Sequence, residues 1–122
     1  MDQDIRERLE GYPGPFQQKV MAWRAKPESA LAPELAEGIL RFHIGEGITQ
    51  KLKAKGDDSL LVEDLGLDSL TMVEIAFEAE EFLGLSLNDD ELRAIRSFGD
   101  LRNFIEERAQ ELSKEKRASG DE

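Results

Sequence analysis

Apolar residues recur at helical spacing over most of this chain, and no stretch shows the two-residue period of a half-buried strand. After Pro33, at a first helical position, Leu35, Ile39, Leu40, Phe42, Ile44 and Ile48 trace one face and predict a helix over 34–54. Gly38, Gly45 and Gly47 weaken it, Lys51, Lys53 and Lys55 suit its C-terminal end, and Gly56 is its stop. Residues 56–68 read as a loop, but Leu60, Leu61, Val62, Leu65 and Leu67 oblige it to fold onto a core. From Asp68-Ser69, side chains suited to starting a helix, the run Leu70, Val73, Ile75, Ala76, Phe77, Ala79, Phe82, Leu83 is helical as far as Gly84. Asn88 or Asp89 caps a short helix through Ile95. Ser97 with Asp100 resembles a capping box ahead of a last helix whose apolar face is Phe98, Leu101, Phe104, Ile105 and Leu112; beyond Leu112 the chain is expected to fray.

The first 33 residues hold all four prolines, at positions 13, 15, 27 and 33, so only short helices fit there. One is expected over 4–10, and a second carries Phe16, Val20, Met21, Trp23 and Arg24 up to Lys26-Pro27. Tyr12, Phe16 and Trp23 admit two readings: an appendage packed on the main domain, or a docking segment for a partner. The elements together predict an all-α fold, a small antiparallel four-helix bundle of three longer helices and one short, with an N-terminal helical extension. The corresponding division is an extension at 1–33, a bundle domain at 34–112 and a frayed tail at 113–122.

Charge narrows the partners. The net charge is −11, and all of it sits in residues 34–107, which hold 18 acidic and 7 basic residues. Nucleic acid and anionic membranes, which need a basic face, are thereby disfavoured, and a basic protein surface is favoured. The absence of cysteine removes disulfides, thiolate metal sites and cysteine nucleophiles, and a single histidine, His43, removes a multi-histidine metal centre. Asp57-Asp58 has a calcium-loop look, but the glycine and terminal glutamate fall at the wrong offsets. With no signal-like or membrane-spanning apolar run, a cytoplasmic monomer is expected.

The chemistry converges on Ser69. As a nucleophile it needs a base, and His43 lies on an apolar helix, so no catalytic residue is assigned and the chain is read as a non-enzyme. As an attachment point it is well placed, because a helix N-terminus following a loop presents a hydroxyl and favours a phosphate. The helix it opens carries Glu74, Glu78, Glu80 and Glu81 with no basic residue among them, which reads as an acidic outward face.

Leu65-Gly66-Leu67-Asp68-Ser69-Leu70 resembles the attachment motif of acyl carrier proteins. The resemblance extends through Ser59-Leu60-Leu61-Val62-Glu63-Asp64 before it, and through Leu85-Ser86-Leu87-Asn88-Asp89-Asp90-Glu91 and Ile95-Arg96-Ser97-Phe98-Gly99-Asp100-Leu101 after it. It covers residues 34–110, leaves 1–33 outside, and departs at Asn88, where the family often has proline. It implies that Ser69 carries 4′-phosphopantetheine and that Asp68 contacts the magnesium of the phosphopantetheinyl transferase. Leu70, Val73, Glu74, Phe77, Glu78 and Glu81 would form the face read by acyl synthases, transferases and other pathway enzymes with basic docking surfaces. Leu61, Leu65, Ile75, Ala79, Leu87, Ile95, Phe98 and Ile105 would line the space that shelters an acyl chain. The implied role is to shuttle thioester-bound acyl intermediates in fatty-acid, polyketide or specialised lipid synthesis. The alternatives are a peptidyl or aminoacyl carrier, and an unmodified acidic adaptor with a basic partner, in which Ser69 is merely a helix cap.

Overall fold

Caps and glycines set the helix boundaries in the computed structural model, which describes the backbone of residues 2–120 and the side chains of residues 5–114. Helix α1 (Asp2–Leu9) and helix α2 (Gly14–Ala25) are separated by the Tyr12-Pro13 turn, with proline in the first turn of α2, where its missing N–H costs nothing. A short 3-10 turn (Ser29–Leu31) leads into α3 (Ala32–Ile44). The single helix expected over 34–54 is instead two. Gly45, at φ +97°, leaves the right-handed helical region, and α4 (Ile48–Lys55) begins after it. Ile48 is fully buried, so α4 returns to the core after the break.

Beyond a second 3-10 turn (Gly56–Asp58) and a loop come α5 (Ser69–Leu83), α6 (Asp89–Ala94) and α7 (Phe98–Gly120). Asp68 is the N-cap of α5 and Gly84, at φ +65°, its left-handed stop. Asn88 closes a reciprocal capping box with Glu91, and Ser97 does the same with Asp100 at 3.1 Å in each direction. Helix α7 continues past Leu112, where fraying was expected, and Ser113 Oγ donates to the Pro27 carbonyl at 3.0 Å. Of the tail expected at 113–122, the last two residues lie outside the described ones. The fold is all-α, as expected, and the sole β-type pairing among the described residues is an isolated bridge between Leu60 and Ser97.

Helix α3 is the central element. Its buried Leu35, Ala36, Ile39 and Leu40 are fully excluded from solvent, and α2, α5 and α7 pack around it. The extension shares this core: Leu9, Tyr12, Phe16, Val20 and Trp23 are all buried in the same apolar cluster as Ile75, Phe82 and Ile105. Burying each such side chain contributes about 1.5–3 kcal/mol, so the extension is a structural layer of the molecule. Gly38 makes the fit possible, because a Cβ there would lie 2.1 Å from the Phe16 ring. No helix among the described residues is long and apolar enough to cross a membrane.

Candidate functional site

The loop leading to Ser69 is held by its own leucines and by backbone pairing. Leu61, Leu65 and Leu67 point into the core, leaving Val62, Glu63 and Gly66 outside. Leu61 N donates to the Arg96 carbonyl at 2.8 Å and Phe98 N to the Ser59 carbonyl at 2.9 Å, tying the loop to the start of α7. Within the loop, Leu67 N reaches the Leu61 carbonyl at 3.0 Å and Gly66 N the Val62 carbonyl at 3.0 Å. Gly66 takes φ +78°, the left-handed conformation that this tight reversal needs. Asp64 accepts from Leu60 N at 2.8 Å and from Lys55 Nζ at 3.0 Å. The Leu60 N–H and then Lys55 hold its carboxyl below the usual range.

Ser69 stands at the end of this braced loop as the first residue of α5, exposed, with no hydrogen-bond partner for its hydroxyl among the described residues. Asp68, rather than Ser69, is the cap. Its Oδ1 accepts from Thr71 N at 2.8 Å, and that N–H keeps its carboxyl ionised below the usual range. The N–H groups of Ser69 and Leu70 stay unpaired in the first turn, so a phosphodiester on Ser69 meets free donors and the positive end of the helix. The residues therefore fit a phosphate-linked prosthetic group. His43, the one conceivable base, is engaged elsewhere, with Nε2 2.8 Å from Glu78 Oε1.

The outward face of α5 differs from the expectation of an open acidic surface. Leu70, Phe77 and Val73 are exposed at 70%, 62% and 45%, and Glu74 is exposed beside them without a partner among the described residues. The other glutamates are used internally. Glu78 is paired with His43 from α3, Glu80 accepts from Leu87 N at 3.0 Å, and Glu81 is paired with Arg8 from α1 at 2.7 Å. Glu78 also lies beside the buried Tyr12 phenol, whose pKa burial and then the Glu78 charge push up. The end of α5 is closed by α2: Trp23 Nε1 donates to the Leu83 carbonyl at 2.8 Å, and Arg24 Nη1 to those of Phe82 at 2.9 Å and Glu81 at 3.1 Å. Sequence reasoning missed these partners. The one available signal was the even charge balance of the flanks beside an acidic centre.

Between α5, α6 and α7 lies an apolar cleft lined by Leu61, Met72, Ile75, Ala76, Leu87 and Phe104 among others. Its volume is 10 Å³, room for about one water molecule, so the cleft is shut. Of the residues expected around it, Leu61, Ile75, Ala79, Leu87 and Ile95 do line it, whereas Leu65, Phe98 and Ile105 do not. Arg108 of α7 pairs with Glu91 of α6 and lies 4.6 Å over the Phe104 ring, fastening α6 across this side.

The family profile for a phosphopantetheine attachment site matches residues 49–105, which run from α4 to the middle of α7 with Ser69 between them. The acyl carrier protein of Sulfurovum sp. (strain NBC37-1) is 39% identical over 67 residues, covering 52% of this chain and 89% of its own. The chain belongs to the acyl carrier protein family. The acyl carrier protein of Rickettsia bellii (strain RML369-C) is 38% identical over 64 residues, 52% of this chain and 74% of that protein. The meromycolate extension acyl carrier protein of Mycobacterium leprae (strain TN) is 40% identical over 50 residues, 41% of this chain and 44% of its own. No solved structure matches the chain. Membership makes this an acyl carrier whose cofactor is covalently attached 4′-phosphopantetheine.

Proposed function

We propose that Ser69 is the residue that receives 4′-phosphopantetheine and that the chain, itself non-catalytic, presents acyl groups on that arm to successive enzymes. The observation that carries this reading is the exposed, unpartnered Ser69 hydroxyl on the first residue of α5, at the end of a loop pinned by buried leucines. When bound, the arm supplies a thiol that holds the acyl group as a thioester. The chain's own residues present the hydroxyl, offer the Ser69 and Leu70 N–H groups to the phosphate, and keep the exposed Asp68 carboxylate ionised beside it for the magnesium of the phosphopantetheinyl transferase.

Leu70, Val73, Glu74 and Phe77 form the face that partner enzymes read. A few exposed apolar side chains with a nearby carboxylate give a contact that is steered by charge and readily released, as a carrier requires. Residues 34–112 act as the carrier domain, with 1–33 as a layer built onto it. The shut cleft admits an acyl chain only if α5, α6 and α7 part, and Ala76 and Ala79 leave the least to displace. Fatty-acid, polyketide and specialised lipid synthesis all use carriers of this form.

Incubation with coenzyme A, magnesium and a broad-specificity phosphopantetheinyl transferase tests the assignment by intact mass. The protein should gain one phosphopantetheinyl group, and Ser69→Ala should gain none. Addition at another residue, or no addition to the native chain, refutes it.

A further inference from the structure

We infer that residues 5–31 act as a built-in selectivity element, taking Glu81 out of the acidic face of α5 and covering the C-terminal end of that helix, and so directing partner contact to its N-terminal half. The inference rests on the reading of α5 as the docking face and goes further, because it says which partners fit. Of the four glutamates on α5, only Glu74 is without a partner among the described residues. Arg8 pairs with Glu81 at the protein surface, and Arg24 adds a second cation over the last carbonyls of the helix, where it also complements the helix dipole. Trp23 seals the same end against Leu83, so the extension covers that end as well as changing its charge. His43, from α3, takes the Glu78 carboxylate at 2.8 Å.

What stays open is an apolar patch of Leu70, Val73 and Phe77 with Glu74, the one α5 carboxylate that no group engages among the described residues. Charge complementarity then defines the occupant: a partner enzyme with an apolar hollow and one cation set against Glu74. A partner that depends on a row of cations along the whole helix finds its far anchors already engaged, Glu81 by the Arg8 guanidinium and Glu78 by the His43 imidazole. Specificity of this kind comes from removing an attraction, which disfavours the wrong partner without weakening the right one.

The rate of Ser69 modification at varied carrier concentration reads this directly, with a broad-specificity transferase, coenzyme A and magnesium at low salt. Glu74→Gln should raise KM about two- to fivefold, the range of an exposed charge contact, with kcat unchanged. Glu81→Gln should leave KM unchanged, because Arg8 already holds that carboxylate. Arg8→Gln should lower KM about two- to fivefold by releasing Glu81, and adding Glu81→Gln should cancel the gain, as should high salt. Equal effects of Glu81→Gln and Glu74→Gln, or no response to Arg8→Gln, overturn the inference while leaving Ser69 as the attachment residue. Absence of any modification overturns the attachment reading itself, and the masking with it. Self-association that rises with concentration and is lost in Phe77→Ser would assign the patch to a second copy of the chain, again overturning it. Unchanged circular dichroism across the series keeps folding out of the comparison.

Discussion

Trp23 offers the sharpest test of whether the extension belongs to the folding unit. Its side chain is 1% exposed, and its indole N–H donates across 60 residues of sequence to the Leu83 carbonyl at 2.8 Å. Trp23→Phe keeps most of the buried ring but leaves that carbonyl without its donor, at a cost of about 1–3 kcal/mol. Trp23→Ala also opens a cavity in the apolar core, which raises the cost to about 3–5 kcal/mol. Against a total stability of about 5–15 kcal/mol, the first should remain folded and the second should be severely weakened. With about 4 °C of Tm for each kcal/mol at this chain length, Trp23→Phe should melt about 4–12 °C lower. Because Trp23 is the only tryptophan, its fluorescence in the native protein reports the extension, while far-UV circular dichroism reports all the helices. The two urea transitions should coincide. A fluorescence transition at clearly lower urea, or an unchanged midpoint in Trp23→Ala, would show that the extension detaches independently and would refute the shared-core account.

Three further outcomes are expected. Gly38→Ala drives a methyl into the Phe16 ring, a 2.1 Å approach, and should cost at least about 1–3 kcal/mol in urea denaturation, with Phe16→Leu in the same chain recovering part of it. Ser59 is fully buried with no partner for its hydroxyl among the described residues, so Ser59→Ala should be neutral or slightly stabilising by the same assay, unlike most core changes. The carboxyls of Asp64, Asp68 and Glu91 are held down in the folded state, chiefly by the N–H groups of Leu60, Thr71 and Asn88. Their contribution is complete above the ordinary carboxylate pKa and is lost as pH falls through the lower folded values, so Tm should drop below about pH 4. Asp68→Asn, which keeps an acceptor for Thr71 N but does not titrate, should flatten that drop.

Short-range interactions were legible in the chain itself. A cap and its N–H target lie three residues apart, so Asp68, Asn88 and Ser97 announced the starts of α5, α6 and α7 without knowledge of the fold, and Gly84 announced a stop. The resemblance of Leu65-Gly66-Leu67-Asp68-Ser69-Leu70 to the family's attachment motif was legible because it rests on consecutive residues, whereas the bonds from Leu61 N to Arg96 and from Phe98 N to Ser59 that tie this loop to α7 were not. Gly45 was visible as a weak point, but its positive φ turned an interruption into a break. What only the tertiary structure decided is the environment of side chains whose partners are distant in sequence. The glutamates of α5 look alike in the sequence. They differ because α1 brings Arg8 to Glu81, α3 brings His43 to Glu78, the linker before α6 turns the Leu87 N–H back to Glu80, and nothing among the described residues reaches Glu74. The extension likewise reads as balanced charge with scattered aromatics, and becomes part of the core because Gly38 lets Phe16 approach α3 and the end of α5 offers carbonyls to Trp23 and Arg24. Helical periodicity marks which residues turn inward, whereas the pairing of a carboxylate depends on what the packed helices place opposite it.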